Sequence, residues 1–368
     1  MTLALPVRTS ARPGRRTTTT IGLDLGSTAV RAFEVTHRPS GPVVEHVGSA
    51  PVSPGAVRGG LVEDPRAVTA ALKQLWSQQR FRSRHVVLGL THPQVVVREL
   101  VVPPLGDKDR ALALPYLVRD IVPYPADQAL LDFHPIGPVA GGSGEIEGLV
   151  VAAPKDVVVR AVAAVHKAGL TVDTVDLASF AVMRATATAA AGAEVVVDIG
   201  AYVSTIVVHQ AGIPRMVRCV PRGGAEITAL VALRHDLSLD AAEAQKCEVG
   251  LGPHAADLVG PDDDDGIAAT VGEALRPLFR EIRSSVTFHD SHHPDEPVAR
   301  VSLCGGGSLL PGLVETVRRR LEVPTRIADP LARLLPTHRG GDRGRPDLGP
   351  LTAASAAVAV GLTLGGVS

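Results

Sequence analysis

Regular patterning begins near Thr20. The apolar run IGLDLG is broken by one Asp, then come the turn residues Gly26, Ser27 and Thr28 and the alternating segment AVRAFEV. This pattern predicts two strands joined by a tight turn. Asp64 and Pro65 supply a helix start, because Asp can cap and Pro suits the first helical position. Ala67, Val68, Ala71, Leu72 and Leu75 then recur on one helical face, and residues 86–90 predict another strand. After residue 90, VVVRELVV predicts a strand ended by Pro103 and Pro104. Asp107 opens a helix expected to run through Ile121, with a kink at Pro115. PYP follows at 123–125, then a strand over 130–136, the turn GGSG, the strand GLVVAA and a helix over 155–168 closed by Gly169. Strand, helix, strand, strand, helix predicts a compact α+β module.

The second half repeats the opening pattern. VVVDIG is again a strand carrying one Asp and ending in Gly, followed by the strand STIVVHQ, a turn over 210–212 and a third strand around 215–220. Gly223 and Gly224 open a helix, a long helix spans about 268–289, and VSLC, GGGS and LPGLVETVRRRL read as strand, turn and helix. LTAASAAVAVGL predicts a short terminal helix. The recurrence predicts two structurally similar halves.

Composition narrows the class. The 368 residues suit two domains or one domain in lobes. With 45% hydrophobic and 20% charged residues the chain can bury a large core. At 3% aromatics that core must be Val, Leu, Ala and Ile, which suits strands covered by helices on both faces. Lys plus Arg total 37 against 38 Asp plus Glu, so nothing electrostatic draws the chain to nucleic acid or an anionic membrane. It has no apolar run of the ~20 residues needed for a membrane helix, and MTLALPVRTSARPGRR lacks a signal-peptide pattern. Cys219, Cys247 and Cys304 are too dispersed for a zinc or disulfide framework and are expected to be buried thiols in a reducing cytoplasm.

Three Gly-rich turns each follow an apolar strand: Asp24-Leu25-Gly26-Ser27-Thr28, Asp198-Ile199-Gly200-Ala201 and Gly305-Gly306-Gly307-Ser308. Each alone is ordinary turn chemistry. Together, two turns without bulky side chains can offer backbone N–H groups to phosphate oxygens, and an Asp at each strand end can hold hydrated Mg²⁺. The third turn lets backbone approach a flat base. Glu243 and Lys246, three apart on a helix starting near Leu239, share one face. They can hold a ribose and cover a ring, or form a surface ion pair of little worth. The HDSHH cluster at 289–293 has helical spacing for a metal, but the helix is ending there, and PDDDDG lacks the spaced ligands of a calcium loop.

This ordered set resembles the actin-like ATPase superfamily of actin, heat-shock chaperones, sugar kinases and the cell-division protein FtsA. Within it, the likeness is to the PilM family of type IV pilus assembly. IGLDLGSTAVRAFEV matches the first phosphate motif, with Arg31 where Lys is common, and VVVDIGAYVSTIVV the second. VDLASFAVMRA resembles the connecting motif, VPRGGAEIT the Gly-Gly helix start, and PDEPVARVSLCGGGSLLPGLVETV the adenosine motif. LALPYLVRDIVPYPADQALLDF and the terminal AVAVGL narrow the likeness to PilM.

The resemblance covers about residues 20–365. It implies an α/β, actin-like two-lobed ATPase fold of duplicated ribonuclease-H-like domains with an inserted small α+β subdomain. The expected limits are a disordered basic arm over 1–19, the first lobe over 20–90, the insert over 91–172 and a connecting helix over 173–192. The second lobe would span 193–335, and a linker with a returning helix 336–368. It implies that Asp24, Gly26, Ser27 and Thr28 contact phosphate and Mg²⁺ from one lobe, and Asp198, Gly200 and Ala201 from the other. Gly223 and Gly224 would border ribose and phosphates, Glu243 and Lys246 would hold ribose and adenine, and Gly305, Gly306 and Gly307 would pack on the base of ATP. Asp24 and Asp198 are the metal residues so implied. Tyr202 and Val203 stand where small or hydroxylated residues are usual, and Ala178 where several relatives carry a Glu near the attacking water. No catalytic residue is therefore assigned, and ATP binding is expected with weak or absent hydrolysis.

The resemblance further implies a cytoplasmic scaffold that binds the N-terminal cytoplasmic peptide of a PilN-type inner-membrane protein. It would sit in the inner-membrane pilus assembly complex through partners, without inserting in the membrane; homo-oligomerisation is compatible with it. An FtsA-like protein would need an amphipathic membrane tail, and GLTLGGVS supplies no basic-apolar segment. A sugar kinase would need a carboxylate poised over a sugar hydroxyl, and none is evident between the phosphate turns.

Overall fold

The computed structural model describes residues 18–139, 141–142, 144–188, 192–251, 266–335, 348 and 351–365. The expected basic arm lies outside them except for its last two residues, as do the four aspartates of PDDDDG and most of the 336–350 linker. In chain order the first strands are β1 (Thr18–Leu25), β2 (Ala29–Arg38), β3 (Gly41–Pro51), β4 (Val57–Arg58) and β5 (Leu61–Val62). Helix α1 (Pro65–Gln78) and strand β6 (His85–Leu90) follow. Asp64 caps α1 through Oδ1, which accepts from the N–H groups of Arg66 and Ala67 at 2.8 and 3.1 Å. Then come β7 (Val96–Val102), α2 (Asp107–Leu117), β8 (Ala129–Pro138), β9 (Ile146–Pro154), α3 (Lys155–Lys167), β10 (Thr171–Leu177) and α4 (Ala178–Thr186). The remainder is β11 (Ala193–Ile199), β12 (Ser204–Gln210), β13 (Ile213–Val220), α5 (Gly224–Arg234), α6 (Leu239–Val249), α7 (Ile267–His292), β14 (Val298–Cys304), α8 (Leu313–Leu321), β15 (Thr325–Ile327) and α9 (Ala357–Thr363).

Two five-stranded sheets share one topology, β3-β2-β1-β6-β10 and β13-β12-β11-β14-β15. In each, the three strands on one side are antiparallel and the next two are added in parallel. Strand parity orients the key residues. Ile21, Leu23 and Leu25 point to the core that α1 and α3 cover, so Asp24 faces the opposite side. Val195, Val197 and Ile199 point to the core built with α5 and α7, so Val196 and Asp198 face the other way. That other side is a shared layer. Ala178, Ala181 and Val182 of α4 pack there with Ala357, Val358 and Leu362 of α9, and with Val196 and Cys304 of the second sheet. Helices α4 and α9 thus lie between the two halves, and both aspartates point into that divide.

The third sheet, β7-β9-β8, is antiparallel. On one face Val102, Phe133 and Val150 pack on Leu114 of α2 and on Val118. On the other, Val97, Leu149 and Val151 join the first core together with Val207 and Val217 of the second sheet. The module therefore touches both halves.

Three expectations change. Helix α2 stops at Leu117 instead of Ile121: the N–H groups of Ile121 and Val122 bond back to Val118 O, and Pro123 disfavours helical backbone at Val122. Helix α3, expected in the inserted module, packs on α1 and shares the first core, and β10 pairs with β6, so both belong to the first half. Only Cys304 is a buried thiol; Cys219 is half-buried and Cys247 exposed. Cys247 follows Lys246, which with Ala242 faces inward on α6, and one helical step turns it to solvent. HDSHH forms the last turn of α7 and the residue after it: Asp290 accepts from the Val298 N–H at 2.9 Å and His289 Nε2 meets Glu296 O at 3.0 Å. No helix among the described residues is long and apolar enough to cross a membrane.

Candidate functional site

Asp24 lies opposite Arg31 in the β1–β2 ladder. Arg31 Nη1 reaches Asp24 Oδ2 at 3.3 Å and Ala29 O at 3.3 Å, and Nη2 reaches Thr28 Oγ1 at 3.4 Å. The guanidinium thus fills the first turn, and a Cβ on Gly26 would lie 2.5 Å from Arg31 Nη1. Ser27 is half-buried and Thr28 exposed. Burial raises the Asp24 carboxyl above its usual range, and Arg31 partly offsets this. Asp198 is pushed up to about 7 by burial and by Asp24, again with Arg31 opposing. Two carboxylates from different halves thus act on one another, and a cation between them would relieve both penalties.

Around Asp198 three segments meet. The Gly200 N–H donates to Val203 O at 3.1 Å and closes the β11–β12 turn. Helix α5 docks its first turn on that loop, with Gly224 N–H to Gly200 O at 2.9 Å and Ala225 N–H to Ala201 O at 2.8 Å. A Cβ on Gly223 would lie 2.3 Å from Gly200 O, so this approach needs glycine. Gly305, after Cys304, has φ +79, and a Cβ there would lie 2.3 Å from Asp198 Oδ1. Gly307 is packed against the Ile199 side chain, while Gly306 has open space beside it. The structure therefore brings together Asp24, Asp198, the turns at 26–28, 200–203 and 305–308, and the start of α5.

Glu243 and Lys246 also reach this region, bonded to each other. Lys246 is buried, and its Nζ donates to Gly224 O at 3.2 Å, Thr228 Oγ1 at 2.9 Å and Glu243 Oε2 at 2.6 Å. All three ammonium protons are engaged. Glu243 Oε2 also accepts from the Thr228 hydroxyl. Partial burial works to raise this carboxyl, but the hydrogen bonds from Lys246 and Thr228 hold it below its usual range. Glu243 remains about half exposed, so it is the member of the pair able to accept from a ligand hydroxyl.

Ala178 is buried at the start of α4. Tyr202 turns its ring toward the first half, where the Arg58 guanidinium lies 5.3 Å from the ring centroid. Sequence reasoning missed Arg58, because two-residue strands carry no periodic signal.

The family model for type IV pilus assembly protein PilM matches residues 22–366. The solved PilM–PilN type IV pilus biogenesis complex superposes with a TM-score of 0.79 at 26% identity, over 96% of this chain and 100% of that one. MreB5 of Spiroplasma citri bound to ADP gives a TM-score of 0.50 at 13% identity, over 94% and 95% of the two chains.

Proposed function

The chain belongs to the PilM family of type IV pilus assembly proteins, and from that premise we propose that it is an actin-like, ATP-binding scaffold whose partner is the N-terminal cytoplasmic peptide of a PilN-type inner-membrane protein. The observation that carries this reading is the superposition of nearly the whole chain on a chain of the PilM–PilN type IV pilus biogenesis complex. On it, the protein works at the cytoplasmic face of the inner membrane, held there by partners.

The site residues fit a magnesium nucleotide. The raised carboxyls of Asp24 and Asp198 are the pair a divalent cation would neutralise. Gly26 and Ala201 would offer backbone donors to phosphates, with Gly200 shaping the second turn through its own bond to Val203 O and Ser27 and Thr28 beside the first. Gly223 and Gly224 would border the ribose, Glu243 would accept from its hydroxyls, and Lys246 would hold Glu243 in place. Gly305, Gly306 and Gly307 would lie under the base. Bound Mg²⁺ would supply charge neutralisation between phosphates and carboxylates. With Ala178 where several relatives carry a Glu, and no other carboxylate assigned to orient water among the described residues, hydrolysis would be slow.

A ligand gripped by both halves favours their closed arrangement. The β7-β9-β8 sheet joins the first core and meets Val207 and Val217 of the second sheet there, so closure would be felt in the module and bias peptide affinity. Neither an FtsA-like nor a sugar-kinase role is favoured by the match.

Calorimetric titration of the purified protein with a synthetic N-terminal peptide from a PilN-type protein tests the reading. Saturable binding at one peptide per chain is expected, with ATP changing the Kd by about five-fold or more. Absence of peptide binding, or sugar-stimulated phosphoryl transfer without it, would overturn the scaffold role.

A further inference from the structure

We propose that Arg58 reads the terminal phosphate of the bound nucleotide and makes the site prefer a triphosphate to a diphosphate; the inference rests on the nucleotide-binding reading above. Arg58 ends β4, in the hairpin with β5. The Glu63 and Asp64 N–H groups close that hairpin on Ala56 O, at 2.9 and 3.1 Å, and Val57 and Val62 anchor it in the first core. Gly60 has φ +84 and sits so close to Thr91 that a Cβ would lie 1.5 Å from its carbonyl oxygen. From this fixed base the tip leans on the other half. The Gly59 Cβ position is 3.6 Å from Val203 Cγ2, and the Arg58 guanidinium stacks on Tyr202. Tyr202 and Val203 complete the turn that begins with Gly200 and Ala201, one of the two turns assigned to phosphates in the proposed function.

The cations near these loops differ in what they have free. Arg31 has both terminal nitrogens on Asp24, Thr28 and Ala29, and its remaining Nε is buried away from a ligand. Lys246 has three acceptors for three protons. Arg222 is paired with Glu226. Arg58 is exposed and makes no hydrogen bond or ion pair among the described residues. An exposed cation over an aromatic ring is held weakly, whereas a guanidinium and a phosphate form two parallel charge-assisted hydrogen bonds. A phosphate within reach therefore draws Arg58 off Tyr202. A diphosphate offers one group fewer, and Arg58 then stays on the ring. The exchange also links the nucleotide's state to a contact between the halves, since Arg58 belongs to one and Tyr202 to the other.

Competition of ATP and ADP against a fluorescent nucleotide, with wild type, Arg58→Ala and Arg58→Lys, separates the outcomes. Wild type should prefer ATP. Arg58→Ala should weaken ATP about tenfold and change ADP less than about twofold, the scale of one charge-assisted contact. Arg58→Lys should recover part of the loss, because it keeps the charge without the fork. Arg58 is exposed, so an unchanged melting temperature is expected to show that both variants fold. If wild type binds both nucleotides equally, or Arg58→Ala weakens both alike or neither, the nucleotide reading stands and the Arg58 assignment is overturned. If wild type binds neither, both fall together.

Discussion

Gly361→Val is expected to lower the melting temperature by roughly 5–10 °C, because no side chain fits where α9 crosses α4. A Cβ at position 361 would lie 1.7 Å from Ala181 O, 2.2 Å from its carbonyl carbon and 2.8 Å from its Cα. All three are backbone atoms, so no rotamer change relieves the clash, and the helices must separate. The crossing sits in the layer that joins the halves, where Ala181, Val182, Ala357 and Leu362 pack with Val196 and Cys304. Overpacking a fixed contact costs about 3 kcal/mol, at the upper end of such changes. Nucleotide and peptide binding should weaken too, since the same layer sets the spacing of Asp24 and Asp198. Scanning calorimetry checks this; a variant that melts within about a degree of wild type would contradict the close crossing.

The second large effect is expected at Arg184. Asp176, at the end of β10, is fully buried. Its Oδ2 accepts from Arg184 Nη2, while Oδ1 has no hydrogen-bond partner among the described residues. Arg184 also donates from Nε to Gly361 O at 3.2 Å, and its own carbonyl accepts from Arg333 Nη1 at 2.8 Å. Arg184→Ala strands a buried carboxylate, a change that costs about 3–5 kcal/mol when no water reaches the charge. The arginine side chain is 23% exposed, so some water can enter, and about 3 kcal/mol is the expected loss. The double variant Arg184→Ala, Asp176→Ala should lose less than the two single losses added, because the stranded charge is gone. Denaturant melts of the four proteins give the coupling; strict additivity would mean that the pair does not interact.

Much of the architecture was legible because it rests on local rules. The repetition of strand, Asp, Gly turn and strand at Asp24 and Asp198 marked the duplication. Once both runs are strands, period-two alternation alone turns both aspartates away from the large cores. The one-face pairing of Glu243 and Lys246 was legible from their spacing. What Lys246 does with its protons was not, because that depends on how α6 meets Gly224 and Thr228 of α5.

Elsewhere the deciding forces were tertiary. Strand β3 carries Gly41, Pro42, Gly48 and Pro51, which dilute its apolar pattern, yet it pairs along β2. Helix α3 shows a clear apolar face, but nothing in that face says whether it covers β9 or α1. The thiols illustrate the same limit. Cys304 and Cys247 have similar chemistry, and only the packing of β14 against β11 buries the first. Arg58 and Tyr202 meet across the divide between the halves, a contact no local pattern encodes.

The claim beneath all of this is that segments remote in sequence enclose one magnesium nucleotide. Titration of the protein with fluorescent ATP, with and without Mg²⁺, tests it on wild type, Asp24→Ala and Asp198→Ala. One nucleotide per chain is predicted, bound more tightly with Mg²⁺, and each variant should lose about tenfold in affinity only when the metal is present. No saturable binding to wild type, or an equal loss in both variants without metal, would contradict the account.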